Sequence, residues 1–168
     1  MSHKHQLSPE IITTPEMHFV GMSLTMSYAN NRVVELWRSF GPARKRIQNT
    51  LKGDSYSMEV YGADFFQSFD PNKEFEKWAA VRVNQGASVP EGMRRLTIPE
   101  SQYAVFEYKG SSSHASGFYQ QLYGVWLPTS GFVLDDRPHF AVMGEKYKNN
   151  DPESEEQIWI PICTKSNQ

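Results

Sequence analysis

The chain has 168 residues, 39% of them hydrophobic, 13% aromatic and 21% charged, which is enough apolar material for one domain with a sizeable core and too much for a mainly disordered chain. Lys and Arg total 17 against 19 Asp and Glu, a net charge of −2, without the basic excess of a polyanion-binding surface. A single cysteine, Cys163, excludes an intrachain disulfide and a thiolate metal cage and points to a reducing, cytoplasmic setting. The polar start Met1-Ser2-His3-Lys4-His5-Gln6 is unlike a secretory signal, and no run approaches the roughly 20 apolar residues that span a bilayer, so neither secretion nor membrane insertion is expected.

Residues 1–17 read as a flexible segment ahead of a single domain over 18–165. From His18 to Tyr28, Val20, Met22, Leu24 and Met26 alternate with Gly21, Ser23, Thr25 and Ser27, the period-two pattern of a half-buried strand. Asn30-Asn31 can cap a helix whose apolar positions Val33, Leu36, Trp37 and Phe40 recur at helical spacing, and Gly41-Pro42 ends or kinks it. The basic run Ala43-Arg44-Lys45-Arg46-Ile47 reads as a solvated face. A second strand carries Tyr56, Met58 and Val60 against Ser55, Ser57 and Glu59 and ends near Tyr61. A loop with Asp70-Pro71-Asn72 leads to a third strand over Phe75–Val83, with Phe75, Ala79, Val81 and Val83 on one parity and Glu76, Trp78, Ala80 and Arg82 on the other.

After a connector at Gly86–Gly92 the order begins again. Tyr103–Tyr108 predicts a strand, and Ser111-Ser112-Ser113 opens a helix carrying Phe118, Leu122, Val125 and Trp126, stopped by Leu127-Pro128-Thr129-Ser130-Gly131. Two further strands follow at His139–Tyr147 and Gln157–Thr164, separated by the turn-rich Asn149-Asn150-Asp151-Pro152. Strand, helix, strand, strand thus occurs twice, over 18–84 and 94–165, an α+β domain with an antiparallel sheet and two main helices. Each half has a tryptophan in its helix, Trp37 or Trp126, and one in its last strand, Trp78 or Trp159. The strand tryptophans lie on the parity opposite the aliphatic stripe, hence on the sheet face away from the helices, where large rings either line a groove or are covered by loops.

Acid–base chemistry needs carboxylates in distinct environments, and Glu107 and Glu145 are the candidates, both on predicted strands. Cys163 sits in an apolar strand and reads as a core thiol. Ser113-His114 reads as a helix start, and His3 and His5 have no fixed geometry for a metal. There is no phosphate-cradling glycine loop. The expectation is a chain without catalytic constellation, metal or cofactor.

The second half resembles the GyrI-like small-molecule-binding family, the effector-binding domain of AraC-type and MerR-type multidrug-responsive regulators. The resemblance rests on Tyr103-Ala104-Val105-Phe106-Glu107-Tyr108-Lys109-Gly110, Trp126-Leu127-Pro128-Thr129-Ser130-Gly131-Phe132, Arg137-Pro138-His139-Phe140, Gly144-Glu145-Lys146-Tyr147 and Ile158-Trp159-Ile160-Pro161-Ile162. Val34-Glu35-Leu36-Trp37 and Lys77-Trp78-Ala79-Ala80-Val81 in the first half are similar to the stand-alone, integron-associated branch.

The resemblance implies two β-α-β-β repeats about a pseudo-two-fold axis, with a pocket between them for hydrophobic aromatic, often cationic, compounds. In relatives aromatic walls combine with a buried glutamate, and both attract a partly desolvated cation. Here the strand glutamate that follows Pro-x-Phe in relatives falls on Ala141. Glu145 lies about 13 Å further along that strand and is no simple substitute. The expected lining is Trp37, Tyr61, Tyr123, Trp126, Met143 and Trp159, with Glu145 as the polar group. Regulators of the family carry a helix-turn-helix ahead of this domain; a first strand near His18 leaves no room for one, so direct nucleic-acid binding is not expected. The function expected is sensing or sequestration of a lipophilic aromatic molecule. The alternatives are a small hydrolase of reactive, cyclopropane-type genotoxic compounds, which the loss at Ala141 weakens, and a protein-interaction module.

Overall fold

Two short connections dictate the shape of this protein. The computed structural model describes residues 8–51 and 53–165. Among them are strands β1 (Glu10–Thr14), β2 (Met17–Met26), β3 (Ser55–Val60), β4 (Phe75–Val83), β5 (Arg94–Ile98), β6 (Ser101–Lys109), β7 (Phe132–Leu134), β8 (His139–Met143) and β9 (Glu155–Thr164). Their antiparallel order is β1-β6-β9-β8-β3-β4-β2-β5, with β7 added on β9. Pro15-Glu16 alone links β1, at one edge, to β2 beside the other edge, and Pro99-Glu100 alone links β5 to β6. Such a step spans about 11 Å at full extension, so the two ends of the sheet must approach each other and the sheet rolls up.

The roll buries one sheet face without any helix over it. Phe19, Met58, Trp78, Tyr103 and Phe140 form this inner core, with Trp159 packed against it; Trp78 is only 1% exposed. The strand tryptophans therefore point away from the helices, as their parity requires; Trp78 is enclosed by the roll and Trp159 is half-buried at its side. In both repeats the indole N–H donates to the side chain two residues earlier, Trp78 to Glu76 at 2.6 Å and Trp159 to Gln157 at 3.1 Å.

The opposite face carries the helices. Helix α1 (Val33–Ala43) sets Leu36 and Phe40 onto Val20, Ala79 and Val81, and its first N–H is capped by Asn31 Oδ1 at 2.9 Å. Pro42 lies in its last turn, and the backbone tightens to a 3₁₀ turn over Arg44–Arg46. Helix α2 (Ala115–Gln121) runs into a π turn at Leu122–Trp126 and a short α3 (Leu127–Thr129). Phe118, Leu122 and Trp126 cover Phe106, Ile158 and Ile160. The π turn adds a residue to the spacing, so Val125, expected on the buried stripe, is 64% exposed.

The repeats are β2-α1-β3-β4 and β6-α2-β8-β9, and each first strand takes on one extra strand. Two expectations need correction here. Residues 10–14 are a strand paired with β6, not part of a flexible segment, whereas residues 1–7 lie outside the described residues. The stretch 94–98, read as the start of the second repeat, is β5 and pairs with β2 of the first. Glu-Ile-Ile-Thr-Thr and Arg-Arg-Leu-Thr-Ile alternate too weakly to be seen, as suits edge strands that discourage further pairing. The strand expected over His139–Tyr147 ends at Met143.

Candidate functional site

The site is built on the helix side of the sheet, where the two repeats meet. Residues on β4, β3 and β8 stand directly opposite one another there: Lys77 faces Glu59, and Glu59 faces His139. Strand parity decides their direction. Met58 and Trp78 point into the roll, so Glu59 and Lys77 point to the face beneath the helices. There they form an ion pair with only 15% of the Lys77 and 18% of the Glu59 side chain exposed.

Above this floor opens a cavity of about 760 Å³, walled by Tyr119 of α2, Tyr123 of the π turn that follows it, Tyr61, Phe66 and Phe69 of the β3–β4 connection, and Tyr28 after β2. The connection is held in shape by Lys73, whose ammonium donates to the carbonyls of Asp64, Phe65 and Ser68 at 3.2–3.3 Å. Phe66 stacks on His139 with centroids 5.5 Å apart and leans on Tyr123 at 5.4 Å, while Tyr61 meets His139 edge-on at 4.9 Å. Phe69 stands at the mouth, 83% exposed.

Burial governs the titration of the wall. Desolvation, with a smaller contribution from Arg137, lowers His139 to about 3 and keeps it neutral at ordinary pH. Its Nδ1 lies 3.1 Å from the Tyr123 hydroxyl, which can donate when the ring proton is on Nε2. Desolvation and then the Glu59 charge push Tyr61, Tyr119 and Tyr123 well up, so their hydroxyls stay neutral donors. Burial also raises Glu156, on the same sheet face, against the lowering pull of Lys77. The cleft is thus an aromatic box with neutral hydroxyls, one neutral imidazole and one ion pair.

The registers also fix the local symmetry. Trp78 is opposite Met58 and Trp159 opposite Phe140, and Met58 and Phe140 are opposite each other. Matching the two tryptophans therefore places the pseudo-two-fold axis at the Met58–Phe140 pair. One residue further along each strand, Glu59 and Ala141 are symmetry mates.

Of the residues expected to line the pocket, Tyr61 and Tyr123 are on the wall. Trp159 borders the cavity, but its ring stacks on Phe140 at 5.1 Å inside the roll. Trp37 packs on Phe40, and Trp126 packs edge-on against Phe106 at 5.0 Å, each beneath its own helix. Neither touches the cavity, because a tryptophan at helical spacing with the core stripe is held against the sheet. Met143 is the last residue of β8 and Glu145 is exposed in the turn beyond it, both off the wall since the strand stops short. Glu107 is exposed and accepts from Gln157 Nε2 at 3.0 Å. Cys163 is half-buried opposite Val133, and Ser113-His114 forms the 3₁₀ turn before α2. His3 and His5 lie outside the described residues.

Glu59, Lys77, His139, Tyr119 and the phenylalanines of the β3–β4 connection were not expected in the site. Two signals for them stand in the sequence. Lys77 interrupts the apolar parity of its strand, and an inward charge calls for a partner. Phe65, Phe66 and Phe69 crowd a segment otherwise marked as loop.

The family model of the GyrI-like small molecule binding domain matches residues 7–162. The chain belongs to the GyrI-like family. This GyrI-like chain is 30% identical over 154 residues to the transcriptional regulator BrlR of Pseudomonas aeruginosa, covering 90% of this chain and 54% of that protein; it spans about half the length of that curated relative. Its fold is similar to that of SAV2435, solved bound to tetraphenylphosphonium, with a TM-score of 0.72 at 14% identity over 93% of this chain and 94% of the other. It is also similar to EcmrR in a complex with DNA, with a TM-score of 0.69 at 13% identity over 94% and 58%. Among the described residues no helix is long and apolar enough to cross a membrane, and no group of three His, Cys, Asp or Glu could hold a metal ion.

Proposed function

We propose that this GyrI-like domain binds lipophilic, multi-ring aromatic small molecules in the cleft between its repeats, as a sensing or sequestering module. The observation that carries the reading is the cavity itself: about 760 Å³ walled by Tyr28, Tyr61, Phe66, Phe69, Tyr119 and Tyr123. Cavities of a few hundred Å³ lined by aromatic groups with a few placed polar atoms are the usual form of a small-molecule site. Rings provide large contact area at small entropic cost, and the neutral hydroxyls and His139 give orientation without a charge requirement.

Tetraphenylphosphonium, the ligand of the similar SAV2435, is the natural first probe, beside its neutral counterpart triphenylphosphine oxide. Titration calorimetry and thermal shift should give saturable binding of at least one of the two, and the midpoint should rise with ligand concentration as mass action requires. Binding should weaken when Tyr123 is truncated to Ala. Failure of both probes and of a wider panel of fused-ring compounds would sink the reading. The same titrations followed by mass spectrometry address hydrolysis: breakdown of a strained-ring compound that is lost in Glu59→Gln would make the domain an enzyme.

A further inference from the structure

Resting on that reading, we propose that Lys77 sets the charge class of the ligand. By engaging Glu59 it turns the floor of the cleft from an anionic spot into a dipole, so that the site takes neutral aromatic molecules bearing a polar acceptor or a dipolar group in preference to lipophilic cations.

The geometry carries this. Glu59 and Lys77 are directly opposed on adjacent antiparallel strands, the arrangement in which opposite charges meet best. Both contribute to the cavity lining and both are largely sheltered from solvent. A cation resting on the floor would meet the attraction of Glu59 and the repulsion of Lys77 at similar range, and in a sheltered site neither is screened away. Lys77 has little to exchange Glu59 for: its neighbours on the same face of β4, Phe75 and Ala79, are both buried, and the other carboxyl within its field, Glu156, is drawn towards its protonated form by burial.

The other charged groups near the cleft do not undo the neutralisation. Asp70 lines the mouth but is exposed, with Oδ1 taken by the backbone N–H of Asn72 at 2.9 Å. Glu156 lies on the same face of β9 outside the lining, and its burial favours the protonated form. Lys73 spends its three donors on loop carbonyls. At the symmetry mate of Glu59 stands the uncharged Ala141, so no second carboxylate faces the first across the axis.

The test uses three probes of similar bulk: tetraphenylphosphonium, triphenylphosphine oxide and tetraphenylborate, titrated by calorimetry into the wild-type chain, Lys77→Met, Glu59→Gln and the double variant. For the wild type the cation and anion affinities should lie within about tenfold of each other. Lys77→Met should raise the cation affinity at least tenfold relative to the neutral probe, and Glu59→Gln should do the same for the anion. The double variant, which leaves no lone charge behind, should return both ratios to the wild-type range and serves as the control if a single variant folds poorly. A hundredfold cation preference in the wild type, or ratios that ignore Lys77→Met, would overturn the proposal while leaving the aromatic cleft standing. Absence of binding by every probe to every protein would instead overturn the cleft reading, and this inference with it.

Discussion

Glu59 on β3 and Ala141 on β8 are mates about the axis that passes between Met58 and Phe140. The family resemblance places a glutamate at the position of Ala141; in this chain the carboxylate of the floor comes from the other repeat, across the same axis. The two positions share a sheet face on either side of the axis, but of the two only Glu59 lines the cavity. What distinguishes them is the next strand, where Glu59 finds Lys77 directly opposite while Ala141 faces the aliphatic Ile158.

Phe69 offers the clearest separation of binding from folding. Exposed at the mouth, it contributes little to the core, so Phe69→Ala should leave the thermal midpoint within a degree or two of wild type and weaken ligand binding about three- to tenfold through lost ring contact. Calorimetry beside a thermal melt reads both. An unchanged affinity would remove Phe69 from the site.

Trp126 should behave in the opposite way. Packed on Phe106 and Phe132 and absent from the cavity wall, it holds the helical segment to β6 and β7. Trp126→Ala should cost about 2–4 kcal/mol in denaturant unfolding, with the affinity of the folded fraction unaltered. A selective loss of affinity at full stability would put Trp126 back among the contacts.

Gly21 is required by close approach. A Cβ built there would sit 2.1 Å from the Ala79 carbonyl oxygen and 2.8 Å from the Ala80 Cβ, in the middle of a strand paired on both sides. Gly21→Ala should therefore destabilise by more than about 3 kcal/mol or prevent folding. A soluble variant with a wild-type melt would contradict the register of β2 on β4.

His139 predicts a pH dependence. Its folded pKa, about 3, lies below the ordinary 6.5, so the unfolded chain binds the proton first as pH falls. Its contribution to stability is complete above pH 6.5 and is lost between 6.5 and 3, at up to about 1.4 kcal/mol per pH unit. Glu156, raised by burial, acts with the opposite sign above pH 4.5, where the unfolded carboxyl gives up its proton first. Comparing unfolding free energies of wild type and His139→Gln from pH 7.5 to 4.5 isolates the histidine; parallel curves would mean that His139 is solvated.

Much of this arrangement could be read along the chain. Period-two stretches located β2, β3, β4, β6 and β9, helical spacing located α1 and α2, and the parity of Trp78 and Trp159 assigned them to the face away from the helices. These are local regularities, set by backbone geometry and by which side of an element is dry. The short Ser-x-Ser-x-Glu parity of β3 misled, because Glu59 looks solvated beside Met58 and instead lines the floor of a cleft.

Sequence by itself determined the repeated order of elements, the parity of the strands that alternate clearly and the aromatic supply, since each depends only on residues close together in the chain. Tertiary structure alone decided three things. The sheet is rolled, because β1 pairs with β6 and β5 with β2, partners as far apart in the chain as Glu10 and Val105 or Met17 and Ile98. The tryptophans are packing residues, Trp78 fully buried in the roll and Trp37, Trp126 and Trp159 half-buried against their neighbours. The floor carries an ion pair and not a lone carboxylate, because the register of β3 on β4 sets Glu59 opposite Lys77, and strand register follows from the packing of the whole sheet.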